Sequence, residues 1–206
     1  MKFVLFPLLA TGIADGAMAK PACPVATDML EGIVVGYADD SLELFVRAHE
    51  KVSVIMNYED GDEVGSQLLL FGTYFAQSLS LAGDADAQYI MLGDIENLRY
   101  GAGPPRPDSA WSEQVEWMDV YTTGQIATPY IVHISAEWRA ADVRTIGDCT
   151  YDVVPGRTVI TFPFGDVSTI DLAYIPELGF SVIDGTYDIV GAPGRTKKAI
   201  FIEAAR

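Results

Sequence analysis

The chain has 206 residues, of which 50% are hydrophobic and 20% are charged, and its 29 acidic against 13 Lys and Arg side chains give a formal net charge of −16. An apolar fraction this large can form a buried core, which excludes an intrinsically disordered chain. We do not expect nucleic acid as a partner, because an acidic protein surface repels the phosphate backbone. With two cysteines the chain is also not a cysteine-dense scaffold.

The N-terminal segment has the three parts of a secretory signal peptide. A basic residue, Lys2, precedes a run of eight apolar residues, and Ala17-Met18-Ala19 follows with the small-x-small pattern of a cleavage site. The apolar run is shorter than the roughly 20 residues that a membrane-spanning helix needs. We therefore expect residues 1–19 to be a cleaved signal peptide. Residues 20–206 are then expected to form a single β-rich domain that is periplasmic or secreted, and not transmembrane after cleavage.

The two cysteines, Cys23 and Cys149, predict one structural disulfide, because an even number of cysteines is typical of bridged exported chains. Neither belongs to a Cys-x-x-Cys motif, so no metal or redox site is expected at them. Each is followed, ten residues later, by an apolar run, an acidic turn and a second strand-like stretch. This suggests two related halves joined by the disulfide, although chance similarity explains it equally well. A lipid anchor on Cys23 is an alternative that residues 20–22 do not favour.

Alternation of side chains with a period of two dominates the remaining sequence and predicts strands. It is clearest in residues 130–138, and shorter alternations run through residues 42–47 and 52–58. The packed face of the first segment is predicted to hold Tyr130, Val132, Ile134, Ala136 and Trp138. No segment has both the caps and the period of an amphipathic helix. Residues 112–120 come closest to one, and their alternation favours a strand.

Turn residues separate the predicted strands. Asp60-Gly61, Pro155-Gly156 and Asp184-Gly185 predict hairpin turns, and Pro176–Gly179 predicts a four-residue turn. The pattern indicates a mainly β fold, with antiparallel meander sheets that form an open, curved sheet, a sandwich or a partial barrel.

A Pro/Gly-rich stretch at about residues 94–110 interrupts this pattern. Its prolines lack the backbone donor that a strand ladder requires. We expect a long loop within one domain, with a linker between two subdomains as the alternative.

His133 is the one histidine in a chemically suggestive setting, because it shares a polar strand face with Ser135 and Glu137. Side chains two residues apart on one face are separated by about 7 Å, too far for the serine–histidine bond of a nucleophilic site. The chain also has no Gly-x-Ser-x-Gly motif. We therefore assign no catalytic residue, and the sequence leans towards a protein without enzymatic activity while leaving that question open.

Aromatic side chains supply the candidate binding residues. Trp111, Trp117 and Trp138, together with His133, could form a platform for a carbohydrate or another flat ligand. Sugar hydrolysis would need two Asp or Glu residues flanking such a platform. The alternative is that these rings are ordinary components of a β-sheet core.

The densest acidic run contains the candidate calcium ligands Glu59, Asp60, Asp62 and Glu63. Calcium prefers six to eight oxygen ligands, but this run lacks the spacing of an EF-hand loop. A solvated hairpin tip is the alternative, and we expect no cofactor.

The layout resembles that of uncharacterised small exported β-rich proteins of Gram-negative bacteria. The likeness consists of a signal peptide, a cysteine near the mature start, a second cysteine opening a C-terminal meander, and Tyr-Ile-Pro-Glu-Leu-Gly-Phe at residues 174–180. It implies no activity and no functional residues. We expect a soluble domain that binds a small ligand, lipid, glycan or envelope protein without catalysis. A carbohydrate-active hydrolase with paired carboxylates and an envelope-associated structural protein are the alternatives.

Overall fold

The computed structural model describes residues 22–80, 89–92, 103–121, 126, 128–189 and 192–205. The predicted signal peptide, residues 1–19, lies outside the described residues. No helix within the described ranges is long and apolar enough to cross a membrane.

Strands make up nearly all the regular structure of the described residues, with one short 3-10 helix at Ala26–Leu30. The strands are β1 (Ile33–Tyr37), β2 (Leu42–His49), β3 (Val52–Glu59), β4 (Asp62–Leu70), β5 (Tyr74–Ser80), β6 (Tyr89–Leu92), β7 (Ser109–Tyr121), β8 (Tyr130–Trp138), β9 (Asp142–Ile146), β10 (Cys149–Thr161), β11 (Val167–Ile175), β12 (Phe180–Ile189) and β13 (Ala192–Ala204). The prediction of a mainly β fold is confirmed, and β7 confirms that residues 112–120 form a strand.

The strands belong to one antiparallel sheet that curves around an interior. Their order is β11-β12-β13-β1-β2-β3-β4-β5-β6-β7-β8-β10-β9. The long strand β10 pairs through its first residues with β9 and through its later residues with β8 and β11. β10, near one end of this order, also pairs with β11, the strand at the other end. Inward side chains from distant strands therefore face the same interior.

Two of the predicted hairpin turns are wrong. Asp60-Gly61 does form the turn between β3 and β4, and Pro176–Gly179 lies between β11 and β12. Pro155-Gly156, however, lies inside β10. Gly156 is the cross-strand partner of Trp138 on β8, and the indole ring of Trp138 packs on the glycine backbone. Asp184-Gly185 lies inside β12, next to a register shift in its pairing with β11. Within a strand, a glycine lets a neighbouring side chain or backbone segment come close to it. It does not reverse the direction of the chain there.

The loop predicted at about residues 94–110 is described only in part. Residues 103–108 have no regular structure, and β7 begins at Ser109, so a strand starts before the predicted end of the loop. Residues 94–102 lie outside the described residues. The choice between a loop and a linker stays a prediction.

The two faces of β8 confirm the predicted alternation. Val132, Ile134 and Trp138 are buried, whereas Ile131 and His133 are exposed. Each buried side chain belongs to the hydrophobic core.

In β2 and β3 the inward face carries polar residues. Glu43 and Ser53 are buried beside the inward Phe45 and Ile55. The alternate residues of these strands are half-buried and lie on the outer face of the sheet. Together with Val34 of β1 they form an outer apolar patch, defined by Val34, Leu42, Leu44, Val46, Val54, Met56 and Tyr58.

The turn between β4 and β5 contacts the start of β12. The backbone N–H of Ser181 donates to the carbonyl of Gly72 at 2.9 Å, and the hydroxyls of Thr73 and Ser181 lie 2.8 Å apart. The rings of Phe45 and Phe180 stack beside them with their centroids 4.1 Å apart. The turn after β4 is thereby tied to the start of β12 across the sheet.

The predicted disulfide between Cys23 and Cys149 is confirmed, with a Cα–Cα distance of 5.5 Å. It holds the N-terminal segment against the first residue of β10. The Tyr151 hydroxyl strengthens this attachment by donating to the carbonyl of Pro24 at 3.2 Å. Met29 of the 3-10 helix is fully buried in the core. The idea that the bridge joins two related halves stays a prediction.

Candidate functional site

A cavity of about 580 Å³ lies in the interior of the curved sheet. Its volume falls within the range of small-molecule sites, roughly 300–1,000 Å³. Its walls come from strands on opposite sides of the interior. The apolar lining residues are Ile55, Leu69, Phe75, Trp117, Ile160, Phe162, Ile170, Leu172, Ile183 and Ile189. The polar lining residues are Glu43, Gln67, Thr73, Ser78, Thr158, Ser168, Ser181 and Tyr187.

The space remains open because small hydroxyl side chains alternate with large apolar ones on the inward faces of β10 and β11. Thr158 pairs with Ile170, and Ile160 pairs with Ser168. A large apolar residue therefore meets a small one at each of these positions. Well-packed interiors have few voids larger than a water molecule, so a cavity of this size is an exception that fits a ligand site.

Three aromatic rings form one wall of the cavity. Trp117 is 2% exposed, and its ring centroid lies 5.8 Å from that of Phe75 and 5.7 Å from that of Phe162. These separations are typical of interacting aromatic pairs, which prefer roughly 4.5–7 Å. The wall is consequently apolar.

A buried polar cluster lies at Glu43, where β1, β2 and β13 meet. The Tyr37 hydroxyl donates a hydrogen bond to Oε2 of Glu43 and accepts one from the backbone N–H of Ile183 at 3.3 Å. The Lys197 Nζ atom lies 4.0 Å from Oε1 of Glu43. The same Nζ lies 4.8 Å from the ring centroid of Tyr37 and 5.4 Å from that of Tyr187. The ammonium is thus held between two aromatic faces and one carboxylate.

Burial sets the ionisation of this cluster. It raises the pKa of Glu43, while the Lys197 charge and the Tyr37 hydrogen bond oppose the rise. Burial, with the nearby Glu43 charge, raises the pKa of Tyr37 well above its usual value and that of Tyr187 to about 12. Both tyrosines therefore stay protonated at neutral pH.

Thr158 is the second polar group of note in the lining. It is 8% exposed, and its Oγ1 atom has no hydrogen-bond partner in the described part of the chain. A buried hydroxyl without a partner costs free energy, and a ligand polar group in the cavity can remove that cost.

The predicted binding residues divide between the cavity and its surroundings. Trp117 lines the cavity. Trp111 and Trp138 instead pack edge-on against Tyr74, with ring centroids 5.0 Å and 6.2 Å away. These two indoles belong to the packing beside the cavity and not to its lining.

His133 is exposed on the outer face of the sheet. Its Nε2 atom lies 2.9 Å from the hydroxyl oxygen of Ser112, on the neighbouring strand β7. Its position on the outside separates it from Trp117 and from the cavity. It therefore takes no part in a shared binding site with that tryptophan.

The candidate calcium ligands lie at the exposed turn between β3 and β4. Among the described residues, no group of three or more His, Cys, Asp or Glu side chains could hold a metal ion. A role of Glu59, Asp60, Asp62 and Glu63 in binding calcium stays a prediction.

Sequence reasoning did not single out Glu43 or Thr158. A signal for Glu43 was present, because it is in phase with Phe45 in the alternation of β2. The sequence around Thr158 carries no such signal. Its position in the cavity lining depends on the pairing of β10 with other strands.

The fold and the cavity define a class of protein, an antiparallel β domain with an interior of ligand size. No protein family, curated protein or solved structure matches the chain. The resemblance to small exported β-rich proteins of Gram-negative bacteria stays a prediction.

Proposed function

We propose that the protein is an exported binding protein that holds a small, mainly apolar ligand in its interior cavity without catalysing a reaction. The observation that carries this proposal is the cavity of about 580 Å³ with largely apolar walls and a few polar groups. Ligand sites commonly combine these two features, because apolar walls supply affinity and a few polar groups fix orientation.

The disulfide supports the exported location in this proposal. Cys23 and Cys149 are bridged, and structural disulfides persist mainly in oxidising compartments such as the periplasm or the medium. A binding protein in such a compartment would carry a poorly soluble molecule through water.

The hydrolase alternative receives less support from the cavity. Glycosidases use two carboxyl groups separated by roughly 5–9.5 Å. Glu43 is the one carboxylate among the described residues that line the cavity. We therefore favour binding over sugar hydrolysis.

Titration with the neutral fluorescent probe N-phenyl-1-naphthylamine tests the proposal. We expect saturable binding with one site per chain and energy transfer from Trp117, which lines the cavity. Thr158→Phe places a ring in the cavity and should abolish binding. Val159→Phe, on the opposite face of β10, is the matched control and should bind normally. Equal binding by both variants would place the probe elsewhere and contradict the proposal.

A second candidate function, an envelope-associated role, is favoured by the outer apolar patch. Monomeric soluble proteins rarely expose large contiguous apolar surfaces. If the patch contacts lipid, the protein should co-sediment with phosphatidylcholine vesicles, and Met56→Glu should weaken this. Ile131→Glu, at an exposed apolar residue of β8, is the control. No co-sedimentation of the unmodified protein would remove this candidate.

A further inference from the structure

The two carboxylate oxygens of Glu43 have different surroundings. Its Oε2 atom accepts the hydrogen bond from Tyr37. Its Oε1 atom has the ammonium of Lys197 at 4.0 Å, beyond the roughly 2.7–3.2 Å of a hydrogen bond to nitrogen. A carboxylate can accept about four hydrogen bonds, so Glu43 retains acceptor capacity.

Glu43 is the one acidic side chain among the described lining residues, and the Lys197 charge and the Tyr37 hydrogen bond both favour its carboxylate form. Lys197 does not line the cavity, and no Lys, Arg or His is among the described lining residues. A ligand with an anionic head group would meet a buried carboxylate and no lining cation. A ligand with a donor would instead complete the hydrogen bonding of Glu43, which is 5% exposed.

Thr158 gives an independent indication of a polar ligand group. Its hydroxyl is buried in the lining and has no partner in the described residues. A hydroxyl can either donate or accept, so a ligand hydroxyl or amine can satisfy it. A purely hydrocarbon ligand would leave the Thr158 hydroxyl without a partner and would add no hydrogen bond to Oε1 of Glu43.

We infer that the ligand is an apolar molecule carrying a hydrogen-bond donor, as in a long-chain amine or alcohol, and that Glu43 Oε1 accepts that donor. This inference rests on the proposed function and specifies its ligand class. The raised pKa of Glu43 agrees with it, since burial without a full set of partners disfavours the charged carboxylate. A bound donor would offset part of that cost.

Competition among three probes of equal chain length tests the inference. Dodecylamine and dodecanoate below their micelle concentrations, and dodecanol below its solubility limit, are titrated near neutral pH against bound N-phenyl-1-naphthylamine. We expect the amine and the alcohol to displace it with affinities about tenfold higher than dodecanoate, which corresponds to about 1.4 kcal/mol. The unmodified protein suffices for this comparison, so the test does not depend on any variant folding.

The variant Glu43→Gln assigns the preference to this side chain. It should reduce the discrimination against dodecanoate to less than about threefold, because the amide adds a donor and removes the charge. Glu63→Gln, at the exposed start of β4, is the matched control and should keep the full preference. Equal or tighter binding of dodecanoate to the unmodified protein overturns the inference and leaves the proposed function standing. Failure of the fluorescent probe to bind the cavity overturns the proposed function itself.

Discussion

The indole ring of Trp138 on β8 lies directly over Gly156, its cross-strand partner on β10. A Cβ atom at Gly156 would lie 2.7 Å from Cδ2 of the indole and 2.7 Å from the carbonyl oxygen of Glu137. Phe201 covers its own cross-strand partner, Gly36, in the same way. At both places an aromatic ring packs on bare backbone, a device that stabilises glycine within curved sheets.

Gly156→Ala should destabilise the protein by about 1–3 kcal/mol, because the added methyl group overlaps both backbone and ring. Urea unfolding followed by circular dichroism measures the change. Gly194→Ala is the control, since a Cβ there would meet its nearest neighbour at an ordinary 3.5 Å. Equal stability of the two variants would show that Trp138 moves aside at little cost.

Replacing Cys23 and Cys149 together by serine should lower the free energy of unfolding by about 5 kcal/mol on the chain-entropy account. The bridge spans 126 residues, so it restricts a large loop of the unfolded chain. Urea unfolding of the double variant, beside the oxidised parent protein, measures the loss. An unchanged unfolding midpoint would contradict the chain-entropy account of this bridge.

Alkaline pH should unfold the protein through its buried tyrosines. Burial raises the pKa of Tyr151 and that of Tyr187 to about 12, and it also raises the pKa of Tyr37. Because these pKa values are raised in the folded state, the protonated tyrosines contribute fully to stability below the pKa of about 10 that they have in the unfolded chain. That contribution is lost as pH rises towards 12. The part of the tyrosinate absorbance that rises above pH 10 should therefore coincide with loss of circular dichroism. Ionisation of all ten tyrosines near pH 10 without any loss of structure would contradict the assigned burial.

The bidentate ion pair of Arg157 and Asp171 should lose its stabilising contribution at acid pH. The Arg157 Nε and Nη2 atoms donate to Asp171 at 2.6 Å and 3.0 Å, and the N–H of Thr186 donates at 3.0 Å. These bonds lower the pKa of Asp171, so its contribution is present above about pH 4 and is lost as pH falls. Asp171→Asn should be modestly less stable at neutral pH and equal to the parent at about pH 2. A constant difference in unfolding midpoint across that range would contradict the assignment.

Local sequence patterns predicted the elements of this fold well. The alternation in residues 130–138 matches the two faces of β8 because both depend only on the period of a strand. Asp60-Gly61 matches a turn for the same local reason. Pro155-Gly156 failed as a turn because Trp138, which stabilises that glycine within the sheet, is a long-range partner.

The candidate site could not be predicted to the same degree. Glu43 and Thr158 lie in different halves of the chain and meet one cavity only because β10 pairs with β11 and brings the two ends of the sheet order together. Trp117 was singled out for its ring, not for its position. Which tryptophan lines a cavity depends on strand register, and register is set by partners distant in sequence.

Nuclear magnetic resonance titration of the isotope-labelled protein with dodecylamine tests the central claim most directly. Backbone and side-chain shifts should concentrate at inward residues, namely Glu43, Trp117 and Thr158, and should saturate at one ligand per chain. The Thr158→Phe variant should show none of them. Shifts confined to the outer apolar patch would contradict the assignment of the cavity as a binding site, and no shifts at all would contradict the ligand class inferred for it.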